Sequence, residues 1–133
     1  MENFSTLAIV SIIGSGIGWL FGGWTISLTV LSIFMSVEII SRIISHIVNK
    51  NRLSADAVFK QFYRKITIMM VIILANALDM LVGDGTPIFK SITVMYYTGY
   101  EGLAIRENIK AVDIKIPNVI SDKLEQMEKE DNK

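Results

Sequence analysis

The chain has no cysteine, only two prolines, a single histidine and no net charge, with 13 basic side chains against 13 acidic ones in 133 residues. Without cysteine there is no disulfide framework, no thiolate metal site and no cysteine nucleophile. His46 has no second ligand at metal spacing, and no Ser-His-Asp order can be built around it. Balanced charge excludes strong electrostatic attraction to nucleic acid as the main business. Charge is also missing locally. Between Glu2 and Glu38 there is none, which leaves residues 3–37 uncharged. Eighteen or more apolar residues in a row argue for a membrane span. With 51% of the chain apolar and a mean hydropathy of +0.46, a soluble enzyme is disfavoured before any motif is read.

The first basic residue is Arg42, so the basic start of a signal peptide is missing and the N-terminus is expected to stay in the mature protein. An uncharged run of this length overshoots one span of about 20 residues. It breaks naturally at Phe21-Gly22-Gly23-Trp24, where paired glycines favour a turn and Trp19 and Trp24 suit an interfacial belt. The expected architecture is an all-α integral membrane protein with spans at 4–21, 25–48, 66–83 and 86–105, three spans being the alternative if the first helix does not insert. Ser54 reads as the cap of a short amphipathic stretch inside a basic loop at 49–65. Thr86 and Pro87 read as N-cap and first helical position of the last span. Residues 1–106 form the membrane domain and 107–133 a charged tail, in which Pro117 opens a short helix with Val119, Ile120, Leu124 and Met127 on one face.

Orientation follows from the basic residues. The loop at 49–65 carries Lys50, Arg52, Lys60, Arg64 and Lys65 against Asp56 alone, a net +4. The turns at 22–24 and 83–87 carry no basic residue. The positive-inside rule places the loop in the cytoplasm and the turns outside. Four spans then put both termini in the cytoplasm.

Gly14, Gly18 and Gly22 recur every four residues and would line one face of the first helix. Small residues at that spacing let helices approach closely in lipid, either within one molecule or between copies. Glu38, Arg42, Asn76, Asp79, Lys90, Tyr97 and Glu101 are the polar candidates within or beside the spans. A charge in the bilayer costs about 2.5–3.5 kcal/mol on insertion scales, so it persists only when paired, interfacial or facing water. Glu38 and Arg42 stand at i and i+4, the favourable order for an ion pair, although snorkelling of Arg42 to the cytoplasmic interface is the preferred expectation. Lys90, one turn after Pro87, is expected at the interface as well. Lys90, Thr93, Tyr97 and Glu101 give the last span one polar side. That side can be a static seam between helices, or it can be hidden in one state and line a wet hole in another. Gly14-Ser15-Gly16-Ile17-Gly18 lacks the preceding strand of a nucleotide-binding loop.

Taken in order, these pieces resemble the holins of the toxin-secretion/phage-lysis family. The similarity runs from Phe21-Gly22-Gly23-Trp24 through Ile33-Phe34-Met35, the acidic Glu38 and the basic loop to Asn76-Ala77-Leu78-Asp79. It continues in Tyr97-Thr98-Gly99-Tyr100-Glu101-Gly102, Glu107-Asn108 and Ile114-Lys115-Ile116-Pro117. It covers residues 19–128. Where that family usually has an aspartate followed by a Thr-Gly pair, this chain has Glu38-Ile39-Ile40-Ser41-Arg42. The resemblance implies a homo-oligomer in the cytoplasmic membrane that forms large, non-selective lesions. These would release an endolysin or a large toxin, with no cofactor and no catalysis. The competing readings are an antiholin that binds and delays a holin, and a small membrane channel subunit.

Overall fold

The computed structural model describes residues 2–129, which form five α-helices and no strand. They are α1 (Glu2–Leu20), α2 (Ile26–Val48), α3 (Ala55–Val82), α4 (Ile88–Lys110) and α5 (Asn118–Lys129). Three of them, α1, α2 and α3, are long and apolar enough to cross a membrane. At 1.5 Å per residue, α2 and α4 are each about 34 Å long, longer than the roughly 30 Å core of a bilayer.

The helix ends follow local chemistry. At the end of α1, Gly23 N–H donates to the Gly18 carbonyl at 2.8 Å and Gly22 N–H to the Trp19 carbonyl at 2.9 Å. Gly22 has a φ of +75°. This is the Schellman arrangement, which needs a left-handed residue after the cap. Gly22 therefore belongs to the turn, not to the helix face shared by Gly14 and Gly18. Lys50 (φ 56°) and Asp113 (φ 64°) take the same left-handed position after α2 and α4. Thr25 caps α2 through its side chain and Ser54 caps α3.

Two expectations change. Residues 55–65 are not loop: α3 runs unbroken from Ala55 to Val82, so only 49–54 connects α2 to α3. Thr86 does not cap α4. Pro87 holds the cap position without a side-chain hydrogen bond and Ile88 is the first helical residue. The backbone donors at that end are satisfied from another helix, as described below.

The packing is inside-out relative to a soluble domain. Helix α1 buries no residue, and Ile26, Ile40, Ile47, Met70, Leu74 and Leu81 are all exposed on the other two apolar helices. Glu38, Asp79, Lys90 and Glu101 are buried, although such residues are almost never buried in water-soluble proteins unless paired. Helix α4 lies at the centre, against α2, α3 and α5, whereas α1 packs lightly against α3. Leu28, Leu31 and Met35 of α2, Ile68 and Ile72 of α3, and Val94 of α4 form the apolar middle, with Phe21 at its edge. The buried faces of α3 and α4 are apolar there and polar towards both ends, and that of α2 turns polar only at its C-terminal end, at Glu38 and Ser41.

Candidate functional site

The polar residues on those buried faces gather into two clusters, one at each end of the apolar middle. The inner cluster joins α2, α3 and α4. Lys65 places Nζ 2.8 Å from Glu101 Oε2 and 3.0 Å from Glu38 Oε2. Arg42, one turn after Glu38, donates to Glu38 Oε1 through Nε at 2.9 Å and also through its terminal nitrogen. The side chains of Glu38 and Glu101 are 1% and 2% exposed, and that of Lys65 is 11% exposed, so this is a dry ionic junction and not a surface pair. Glu38 Oε2 faces Lys65 at ion-pair distance but outside hydrogen-bonding geometry. Asn108 extends the cluster along α4, donating to Ser41 Oγ at 3.0 Å and to the Glu38 carbonyl at 3.4 Å. Removing charges from water costs several kcal/mol per ion, and only close pairing offsets it. Two carboxylates against two cations meet that condition.

The outer cluster joins the α1–α2 turn to the α3–α4 turn. The Asp79 carboxylate accepts from the Phe89 N–H at 2.8 Å and the Lys90 N–H at 2.9 Å. It thus does for α4 what an N-cap side chain does from within its own segment, and its charge complements the positive end of the helix dipole. Lys90 Nζ reaches the Gly23 carbonyl at 3.2 Å, and Asn76 Nδ2 reaches the Leu20 carbonyl at 2.9 Å. Gly22 is held so close to Asn76 that a Cβ there would stand 2.3 Å from Asn76 Oδ1. Glycine is favoured at this position by the left-handed backbone, and any Cβ would have to displace the Asn76 amide.

The other candidates are placed as follows. Tyr97 packs at the edge of the apolar middle, its ring edge-on to Tyr96 at 5.0 Å. Gly14 and Gly18 have nothing within 4 Å of an added Cβ, so their face of α1 is uncovered in one copy. Lys50, Arg52, Lys60 and Arg64 are exposed. Lys65, which the sequence groups with them, is instead the centre of the inner cluster. Ser41 and Asn108, which the sequence offers only within the segments that carry the resemblance, and the carbonyls of Leu20 and Gly23 are partners that were not among the site candidates. At the far side of α4, α5 folds back so that Leu124 and Met127 lie on Gly99 and Gly102.

A family model described as the bacteriophage holin family matches residues 15–129. The chain belongs to that family. It is 37% identical over 71 residues to a probable holin of Bacillus phage phi105, about half of each chain. It is 30% identical over 125 residues to an uncharacterized 14.9 kDa protein in the nagH 3′ region of Clostridium perfringens, covering 94% of this chain and 93% of the relative. It is 32% identical over 129 residues to the uncharacterized protein YqxH of Bacillus subtilis strain 168, covering 96% of this chain and 85% of the relative. No solved structure matches it. Membership of the holin family and three span-capable helices make this a membrane protein, and the family points to a non-enzymatic one. The matched segment contains every side chain of both clusters and omits the first three turns of α1.

In this holin-family chain Arg106 pairs with Glu107 at 3.4 Å and, across to α5, with Glu125. Arg106 Nη1 donates to Glu125 Oε1 at 2.9 Å, tying α4 to α5. That hydrogen bond holds the Glu125 carboxyl below its usual range. A carboxyl lowered in the docked state stabilises docking above its ordinary pKa, and the contribution disappears as pH falls through the lowered value. Amide protection in 118–129, taken relative to the intrinsic exchange rate at each pH, is therefore expected to fall on acidification below the ordinary carboxylate range, and Glu125→Gln should remove that pH dependence. An unchanged pH profile in the variant would show that Glu125 is not the group responsible.

Proposed function

We propose that the chain is a holin that oligomerises in the bacterial cytoplasmic membrane and opens non-selective lesions large enough for a folded endolysin or a large toxin. In this reading α4 is a fourth span. Residues 1–106 are the membrane domain, 107–133 a cytoplasmic tail, and both termini are cytoplasmic. The observation that carries the reading is the inside-out packing: apolar side chains outside, and two polar clusters sealed within a single copy.

The spacing of the clusters supports a resting state close to wetting. Along α3, Lys65 and Asp79 are about 21 Å apart at 1.5 Å per residue. The hydrocarbon core is about 30 Å thick. Ionic groups therefore lie within hydrocarbon depth even when the bundle is closed, covered by α2 and α3 side chains. Separation of α4 from its neighbours would expose carboxylates and ammonium groups that only water or another copy could satisfy. Copies that meet at such faces can replace internal pairs with a hydrated wall. The uncovered Gly14 and Gly18 face of α1 offers a close-packing surface between copies.

The test is inducible expression in bacteria that hold a cytosolic endolysin without its own export signal, with membrane potential and enzyme release followed together. Abrupt depolarisation with release of folded enzyme after a reproducible delay is the expected result. Depolarisation without release would make it a small channel. Neither effect, with insertion confirmed, would favour an antiholin. Replacing Asp79 and Glu101 together by leucine is expected to shift the delay severalfold or abolish lysis. Unchanged timing, with normal insertion and expression, would remove the polar clusters from the mechanism.

A further inference from the structure

Helix α3 is longer than a span requires. Its membrane-length apolar stretch begins at Ile66, yet the helix starts eleven residues earlier, at Ala55. That extension is amphipathic in an unusual sense. Phe59, Phe62 and Tyr63 stand on its outer side and are 60%, 55% and 66% exposed. They continue, at steps of three and four, the exposed apolar line of Ile66 and Met70. Lys60 and Arg64 flank this line, both exposed, and Lys50 and Arg52 lie just before the helix, also exposed. Asp56 is the only acid among them. The Arg64 guanidinium lies 4.9 Å from the centre of the Tyr100 ring, which holds it beside α4 at the level of the inner cluster.

We infer that this aromatic and basic arm of α3 is a docking surface for acidic phospholipid headgroups of the inner leaflet. The inference rests on the membrane reading above and extends it. Aromatic rings with one apolar body are favoured at the headgroup level, and basic residues beside them attract anionic lipid, by about fivefold in affinity for each Lys or Arg. The charge is complementary: a net positive arm meets a net negative leaflet. The arm is also rigidly continuous with Lys65, which holds Glu38 and Glu101. A headgroup held at Lys60 and Arg64 thus fixes the depth of the helix that carries the ionic junction.

The experiment uses the full chain in vesicles of phosphatidylcholine mixed with phosphatidylglycerol, in which either lipid carries brominated acyl chains that quench tryptophan. The natural chain, with Trp19 and Trp24, reports insertion. A Phe62→Trp variant with both natural tryptophans changed to phenylalanine reports the arm. The expected result is quenching at position 62 that favours phosphatidylglycerol about fivefold over its share of the mixture. The preference should weaken at about 0.5 M salt and be lost in Lys60→Gln/Arg64→Gln. Equal quenching by the two lipids overturns the inference. So does a preference that survives the double substitution, or one that free inorganic phosphate removes at constant ionic strength, since the site would then take phosphate from any source. If Trp19 and Trp24 are quenched by neither lipid, the membrane reading itself fails. If they are quenched while position 62 shows no preference, only the lipid inference fails.

Discussion

Replacing Lys65 with methionine is expected to destabilise the helix bundle by about 3–5 kcal/mol, the cost of leaving a buried charge without its partner. Lys65 Nζ serves two carboxylates, at 2.8 and 3.0 Å, whose side chains are 2% and 1% exposed. Without it, Glu38 keeps Arg42 but Glu101 keeps no cation within ion-pair distance among the described residues. Methionine fills much of the same volume, so the loss would be electrostatic and not a cavity. The check is unfolding in detergent micelles, followed by circular dichroism, for Lys65→Met, Glu101→Gln and the double variant. Removing both members of a buried pair is often near neutral. The double variant should therefore recover most of the loss, giving a coupling of several kcal/mol in the cycle. A single-variant cost below about 1 kcal/mol, within the range of exposed pairs, would mean that water reaches the junction. A double variant as unstable as the sum of the singles would mean that Lys65 and Glu101 act separately.

What the sequence disclosed and what it hid divide by range. The Glu38–Arg42 spacing was legible because i and i+4 on one helix are neighbours whatever the tertiary structure, but the preferred sequence reading is snorkelling of Arg42, and the structure pairs it with Glu38 instead. The turn at Gly22-Gly23 was legible because paired glycines report a local backbone need. Lys65 was not, because its two partners lie 27 and 36 positions away, and their meeting depends on how α3 is aligned with α2 and α4. Counting Lys65 with the basic loop was also encouraged by composition. Five bases between 49 and 65 look like solvated loop, yet Lys and Arg are good helix formers. The spacing of Phe59, Phe62, Tyr63 and Ile66 was the signal that the helix had already begun. Asp79 shows the same limit. Its place beside Asn76 is readable on one helix, but its service to the Phe89 and Lys90 amides crosses a turn. Local rules instead nominated Thr86, the nearest residue of capping type.

Leucine in place of Gly99 is expected to release α5 while leaving the rest of the bundle intact. A Cβ at Gly99 would stand 2.9 Å from the Glu128 amide nitrogen and 3.0 Å from the Leu124 carbonyl oxygen. Both are backbone atoms, so no rotamer change relieves the clash and α5 as a whole must move. Leu124, the buried apolar residue of α5, then loses its seat, a loss of about 1.5–3 kcal/mol. Within α4 the sign is opposite, because leucine is a better helix former than glycine by roughly 0.8 kcal/mol. Hydrogen exchange separates the two effects. Protection in 118–129 should fall by about tenfold or more, while protection in α4 persists or rises. Loss of protection in both helices would make α5 part of the cooperative core. No loss in either would mean that α5 accommodates the larger residue by a shift the docked geometry does not suggest. Gly102→Ala provides the contrast. Its Cβ would meet Leu124 Cδ2 at 2.4 Å, but that methyl ends a flexible side chain. A smaller loss there than at Gly99 is the pattern that makes backbone contact, and not side-chain crowding, the reason for glycine in this helix pair.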